Sequence, residues 1–262
     1  MNYPYLATGY SQALQNLIDS GSPPTIQAVE YGPYHTPSQV LAAMRKLNQY
    51  SPYFHPGSMI RTIPWHPGKT RQFETYLSIT QTPWISLHIS LKPVWMVWLE
   101  RRLGIHFPTR PNPQRITTFI RKIKRLQSMY ALPFLLEFMP ASSPKDLLVS
   151  DSVTVCRILE ETGCSLLLDI PHARINAFAR KISFEAYCQS LLLERTREIH
   201  ISGLRPRDGF LYDAHQSIQS EDLDCLNWVL QYTNPELITL EYYYNAESLQ
   251  TQLQQLSAAI KH

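Results

Sequence analysis

The ten residues 163–172, GCSLLLDIPH, carry the decisive reading of this 262-residue chain. Gly163 is a typical helix stop, because glycine accepts the left-handed conformation that ends many helices. The apolar run behind it does not alternate with polar residues, as expected of a strand buried on both faces of a parallel sheet. It then ends abruptly in Asp169 and His172, two groups that are costly to bury without partners. A helix, a fully apolar strand and a polar strand end therefore follow one another within a few residues.

The same unit repeats along the chain. Short apolar runs are read at Tyr5–Thr8, Ile26–Tyr31, Pro52–His55, Trp84–Ser90, Phe134–Met139, Ser165–Ile170, Glu198–Ser202 and Leu237–Tyr242. Helical segments are predicted between them at Ser11–Asp19, Ser38–Asn48, Thr70–Ile79, Thr117–Tyr130, Ser152–Thr162, Ser183–Arg195, Asp222–Thr233 and Ala246–Ile260. Eight strands, each followed by a helix, imply right-handed crossovers and a parallel sheet. The expected architecture is a (β/α)₈ barrel built as one domain over residues 1–262. An open doubly wound sheet would carry a glycine-rich phosphate turn after its first strand, and no GxGxxG occurs.

Composition narrows the function. An apolar fraction of 44% suits a folded globular chain, and a net charge of +3 with no basic stripe argues against a nucleic-acid partner. The four cysteines form no CxxC pair and read as reduced packing residues. No signal-like segment opens the chain, and the most apolar stretch, Pro93 to Leu99, is too short to span a bilayer, so a cytoplasmic protein is expected. The GKT inside HPGKT (66–70) lacks the upstream glycine of a P-loop. Arg121, Lys122, Lys124 and Arg125 read as the outer face of a helix. The longest connection, roughly Leu91 to Arg115, holds Trp95, Trp98, Arg101, Arg102 and His106 and is expected to form a lid or substrate wall.

Active sites of such barrels sit at the C-terminal ends of the strands. Those ends read YFHPG, SLHIS, LLEFMP, LLLDIPH, EIHISG, YDAH and TLEYYY. They place His55, His88, Glu137, Asp169, His172, His200 and Glu241 at barrel tops, with Asp213 and His215 in the loop after the seventh strand. Five imidazoles and four carboxylates on one face would repel and desolvate one another unless cations lay between them. The mixed nitrogen and oxygen donors suit iron, zinc or manganese. Arg205 and Arg207 follow the seventh strand and are candidate clamps for an anionic substrate.

The ordered pattern H…H…E…DxxH…H…DxH…E resembles the xylose-isomerase-like barrels with trinuclear metal sites. Within them, VEYG at Glu30, FH at His55, LEF at Glu137, LLD at Asp169, HISG from His200, DAH from Asp213 and LEY at Glu241 resemble the multinuclear non-haem iron-dependent oxidative enzymes that include the methanobactin biosynthesis oxidase. That resemblance implies iron and dioxygen chemistry on a cysteine-containing ribosomal peptide, often with a separate peptide-capturing protein. It also implies a division of ligands. His55 and His88 would hold one metal, with Glu137 bridging to a second completed by Asp169, His200 and Glu241. His172, Asp213 and His215 would hold a third. Glu137, Asp169 and His172 would stand nearest the chemistry. Phe138 and His172 depart from the family pattern, which often has Asn at each place. The nine positions also resemble the zinc site of endonuclease IV, although LEFMP and HISG replace its usual surroundings. A sugar isomerase or epimerase acting on a small molecule is a third relative.

Overall fold

The computed structural model describes residues 3–104, 112–141, 151–207 and 209–260. Its central sheet contains β1 (Tyr5–Gly9), β2 (Ala28–Tyr31), β3 (Ser51–Phe54), β4 (Ile85–His88), β5 (Phe134–Glu137), β6 (Ser165–Asp169), β7 (Thr196–Ile201) and β10 (Leu237–Leu240). All pairings are parallel, in the order β3-β2-β1-β10-β7-β6-β5-β4. The two ends of that order meet through a single parallel bridge, Gly57 to Leu87. The eight strands expected from the apolar runs are thus all present, and they form a barrel.

Local signals explain most helix boundaries. Ser11 caps α1 (Gln12–Asp19), and Thr36 with Gln39 forms a capping box on α2 (Pro37–Lys46). α3 (Pro67–Thr80) contains the GKT residues, so that stretch is the first turn of a helix. α6 (Ser152–Thr162) is capped by Asp151 and ends on Gly163. α9 (Ser220–Leu230) precedes β10 and α10 (Ala246–Ala259) follows it.

Four features differ from the sequence reading. The long connection after β4 carries a helix, α4 (Val94–Leu103), before α5 (Pro113–Met129); His106 lies outside the described residues. A helix α7 (Ile170–Arg180) starts directly at the end of β6, where Asp169 accepts from the His172 amide at 2.6 Å and Pro171 occupies the first turn. The single helix expected over Ser183–Arg195 is instead α8 (Phe184–Gln189) and a 3₁₀ turn at Leu193–Arg195. Finally, Asp213 and His215 lie in no loop. They belong to β9 (Phe210–Gln216), which pairs antiparallel with β8 (Gly203–Arg207).

Two apolar layers position the site. One fills the space between sheet and helices, with Leu14, Phe73, Ile123, Ile158 and Leu256 among its fully buried members. The other fills the barrel interior with Ala7, Ala28, Tyr53, Trp84, Leu135, Leu167 and Leu237. Small alanines on β1 and β2 leave room for the bulky Tyr53 and Trp84 rings, 5.0 Å apart. β7 contributes Glu198 instead of an apolar residue, and its Oε2 accepts from Trp84 Nε1 at 2.9 Å. The four cysteines are free, and Cys164 and Cys188 are buried packing residues. No described helix is long and apolar enough to cross a membrane.

Candidate metal centre

Strand side chains alternate between faces, so the residue two positions beyond each interior residue points the same way. Ala28 is followed in this sense by Glu30, Tyr53 by His55, Leu135 by Glu137, Leu167 by Asp169 and Glu198 by His200. On β4 the series runs Trp84, Ser86, His88; on the last strand it runs Leu237, Thr239, Glu241. One period therefore builds both the apolar plug and the polar layer above it.

At the centre is Glu137. Its Oε2 lies 3.4 Å from His55 Nε2 and 3.2 Å from His88 Nε2, while Oε1 lies 3.0 Å from His172 Nδ1. The two histidines face each other with their Nε2 atoms 3.1 Å apart. Behind His55, its Nδ1 is 2.8 Å from the Ser86 hydroxyl. His172 Nδ1 also sits 3.0 Å from the Phe138 carbonyl, and its Nε2 lies 3.4 Å from Asp213 Oδ2. His200 Nε2 lies 3.2 Å from Glu30 Oε2 and 3.3 Å from Glu198 Oε1, and its Nδ1 is 3.6 Å from Glu241 Oε2. His215 Nδ1 lies 3.4 Å from Asp213 and 3.7 Å from Glu241.

Three sets of donors come within 4.8 Å of one another among the described residues: His55, His88 and Glu137; Glu137, Asp169 and His200; and Glu30, His55 and His200. The structure brings all nine sequence candidates to one end of the barrel and adds Glu30. That residue is missed as a ligand because the candidates are drawn from strand ends starting with the third strand, which leaves out β2. Its parity with Ala28 is the signal that locates it. His172, Asp213 and His215 approach one another pairwise rather than as a compact triplet.

The hairpin reaches the site through close backbone contact. A Cβ on Gly203 would lie 2.2 Å from the Ser217 carbonyl oxygen, so only glycine lets β8 pass there. Phe210 packs with Ile175, Ala179 and Ala141 and thereby holds the hairpin on α7. Arg205 and Arg207 lie on the exposed part of β8 and do not line the cavity over the site. The cause is the hairpin itself, which carries the chain outward after Gly203 before Asp213 brings it back.

Electrostatics describe a cluster with too many buried negative groups. Burial raises the Glu30 carboxyl, with His200 opposing, and burial raises Asp169 well above the usual range, with Asp213, Glu137 and Glu241 adding to it. Burial acts the same way on Glu137 and Asp213, but the neighbouring imidazoles outweigh it and hold both below their ordinary values. Burial lowers His55 to about 4, leaving it neutral near pH 7. His172 and His200 behave oppositely: burial disfavours their charge, but the surrounding carboxylates overcome it and raise both well above the ordinary value. Protons thus do part of the work that cations would do.

Two buried atoms lack a hydrogen-bond partner in this cluster, Glu137 Oε2 and His215 Nδ1. A buried, unpaired carboxylate oxygen is strongly unfavourable, and a cation is the group that satisfies it. The donor set, its spacing and the orphaned atoms all fit multiple metal ions. Above them opens a cavity of about 600 Å³, whose walls include Tyr10, Tyr34, His35, Met139 and Tyr243. Tyr243 donates to Glu241 Oε1 at 3.3 Å and meets the His215 ring edge-on at 5.3 Å. Tyr242 packs into the core and Tyr244 is exposed, so only the middle tyrosine of the YYY run walls the site.

The family described as RiPP precursor modification enzyme MbnB/TglH/ChrH matches residues 42–262. The chain belongs to the MbnB/TglH/ChrH family. Local matches tie it to curated UPF0276 proteins. It is 30% identical over 83 residues to one from Shewanella loihica, covering 32% of this chain and 30% of that protein. It is 38% identical over 58 residues to one from Acaryochloris marina, covering 22% and 21%. The chain spans about a third or less of the length of these relatives in the matched regions. Among solved structures, a xylose isomerase domain containing protein from Salmonella typhimurium LT2 is similar over all of both chains, with TM-score 0.63 and 13% identity. An AP endonuclease, family 2, from Brucella melitensis is similar over 97% of this chain and 98% of that one, with TM-score 0.60 and 11% identity. At such identities the likeness speaks for the xylose-isomerase-like barrel fold alone.

Proposed function

We propose that this chain is a multinuclear iron oxidase that modifies a cysteine-containing peptide, working as one barrel domain with a separate peptide-capturing protein. The observation that carries the metal reading is Glu137: its buried Oε2 lies between two histidine nitrogens at 3.4 and 3.2 Å yet has no hydrogen-bond donor. His55, His88, Glu137, Asp169, His172, His200, Asp213, His215 and Glu241 would hold two or three ions, joined by Glu30. Iron bound there would supply the redox and dioxygen chemistry that no protein side chain provides.

The chain's own groups do the rest. Ser86 fixes the His55 ring, and the Phe138 carbonyl fixes His172, so the donor nitrogens are oriented before metal arrives. Burial keeps His55 neutral and therefore able to ligate. Tyr10, Tyr34 and Met139 line the cavity above the cluster and would present apolar surface to a peptide there. Family membership supports a peptide substrate.

The test is anaerobic purification, metal analysis and Mössbauer spectroscopy, followed by dioxygen-uptake assays on a synthetic cysteine-containing peptide. Two or more irons per chain with peptide-dependent oxygen uptake are expected. Zinc or manganese alone, with no activity gained on adding ferrous iron, would overturn the proposal.

A further inference from the structure

A second concentration of charge lies beside the metal centre. Arg61 in the 3₁₀ turn Ser58–Arg61, Lys92 after β4, and Arg115 and Lys122 on α5 line one cavity of about 450 Å³. Ser90 and Thr118 add hydroxyls, and no Asp or Glu is among the described lining residues. Lys92 also pairs with Glu100 at 2.7 Å. Arg61 Nε donates to Ser90 Oγ at 2.7 Å, so its guanidinium is held in place. Lys122, which the sequence assigns to an outer helix face, turns inward and donates to the Ile60 carbonyl.

The two cavities share a partition. Gly57 and Ser58 line the one over the metal centre, whereas Ile60 and Arg61, in the same turn, line the cationic one. Likewise His88 opens onto the first and Ser90, two residues on, onto the second. A chain crossing that turn would reach both.

We propose that the Arg61–Lys92–Arg115–Lys122 cavity binds the carboxylates of an acidic segment in the substrate peptide and anchors it beside the metal centre. This rests on the reading of the chain as a peptide-modifying enzyme. Cations contributed by three separate elements suit several carboxylates spaced along a peptide better than one compact anion. Arginine and lysine pairs with carboxylates are the strong, charge-assisted kind.

Calorimetric titration of the metal-loaded protein with a tetraglutamate peptide tests it, with tetraglutamine and inorganic phosphate as comparisons. Tetraglutamate should bind, tetraglutamine should not, and both Arg115→Gln and Arg61→Gln should weaken binding at least tenfold while keeping wild-type metal content. No tetraglutamate binding, or equal affinity in wild type and both variants, overturns the proposal. So does phosphate binding that is sensitive to the two substitutions while tetraglutamate is not bound. Absence of iron from the wild-type protein would instead count against the oxidase reading, and the titration would still report on this cavity.

Discussion

His55 and His88 face each other across the β3–β4 seam with their Nε2 atoms 3.1 Å apart, although no hydrogen bond elsewhere ties the two rings together. His55 is neutral, because burial lowers it to about 4. Its Nδ1 lies 2.8 Å from Ser86 Oγ. With Ser86 accepting from Nδ1–H, the Nε2 lone pair would face the site, so Ser86 is expected to favour the ligating tautomer. Ser86→Ala should weaken metal binding by about 10–100-fold, the usual effect of removing a partner that orients a ligand. Competition with a chromophoric chelator measures it, and unchanged affinity would show that the hydroxyl plays no orienting role.

Gly57 stands between the same two rings. Its φ is +47°, and a Cβ placed on it would lie 2.8 Å from His88 Nε2 and 2.9 Å from His55 Nε2. The residue also makes the sole bridge that joins the two ends of the sheet order among the described residues. Gly57→Ala should therefore push both imidazoles apart and strain the turn. Metal content should fall by at least one ion per chain, with a lowered melting temperature for the metal-free protein. Full metal occupancy in this variant would mean that neither ring is a ligand.

Much of this arrangement is legible in sequence because one period governs both layers. Continuous apolar runs identify the strands; polar residues at their ends identify seven of the ten clustered groups, and the stretch after the seventh strand adds Asp213 and His215. Glu30 escapes because the strand ends taken as candidates begin with the third strand, whereas parity with Ala28 carries it inward. The hairpin escapes because β8 and β9 pack one face on α7 and leave Arg205 and Arg207 exposed, which gives no apolar run. α7 escapes because Asp169 is read as a ligand, although Asp before a Pro-containing first turn is equally a helix cap. One side chain serves both purposes.

Glu137 and Glu241 differ in reach, and substitution should show it. Glu137 lies within 3.4 Å of three imidazoles, whereas Glu241 lies 3.6 and 3.7 Å from His200 and His215. Glu137→Gln removes the charge shared by two donor sets and should cost two metal ions per chain. Glu241→Gln should cost one at most. Mass spectrometric metal counting on both variants separates the outcomes, and equal losses would contradict a bridging role for Glu137.

Lys122 gives the neighbouring cationic cavity a pH dependence. Burial lowers its amine to about 8 from the ordinary 10.5. A lysine depressed in this way favours the folded state when neutral, so its stabilising contribution is present above 10.5 and is lost as pH falls through about 8. Ligand binding runs the other way, because the ammonium that attracts carboxylates forms only as pH falls through that value. Tetraglutamate affinity should consequently weaken as pH rises from 7 to 9 in the wild-type protein, and Lys122→Gln should flatten that dependence. The same substitution should lower affinity at pH 7, where the lysine is charged. Titrations at three pH values check both statements: a pH dependence identical in the variant would place the titrating group elsewhere.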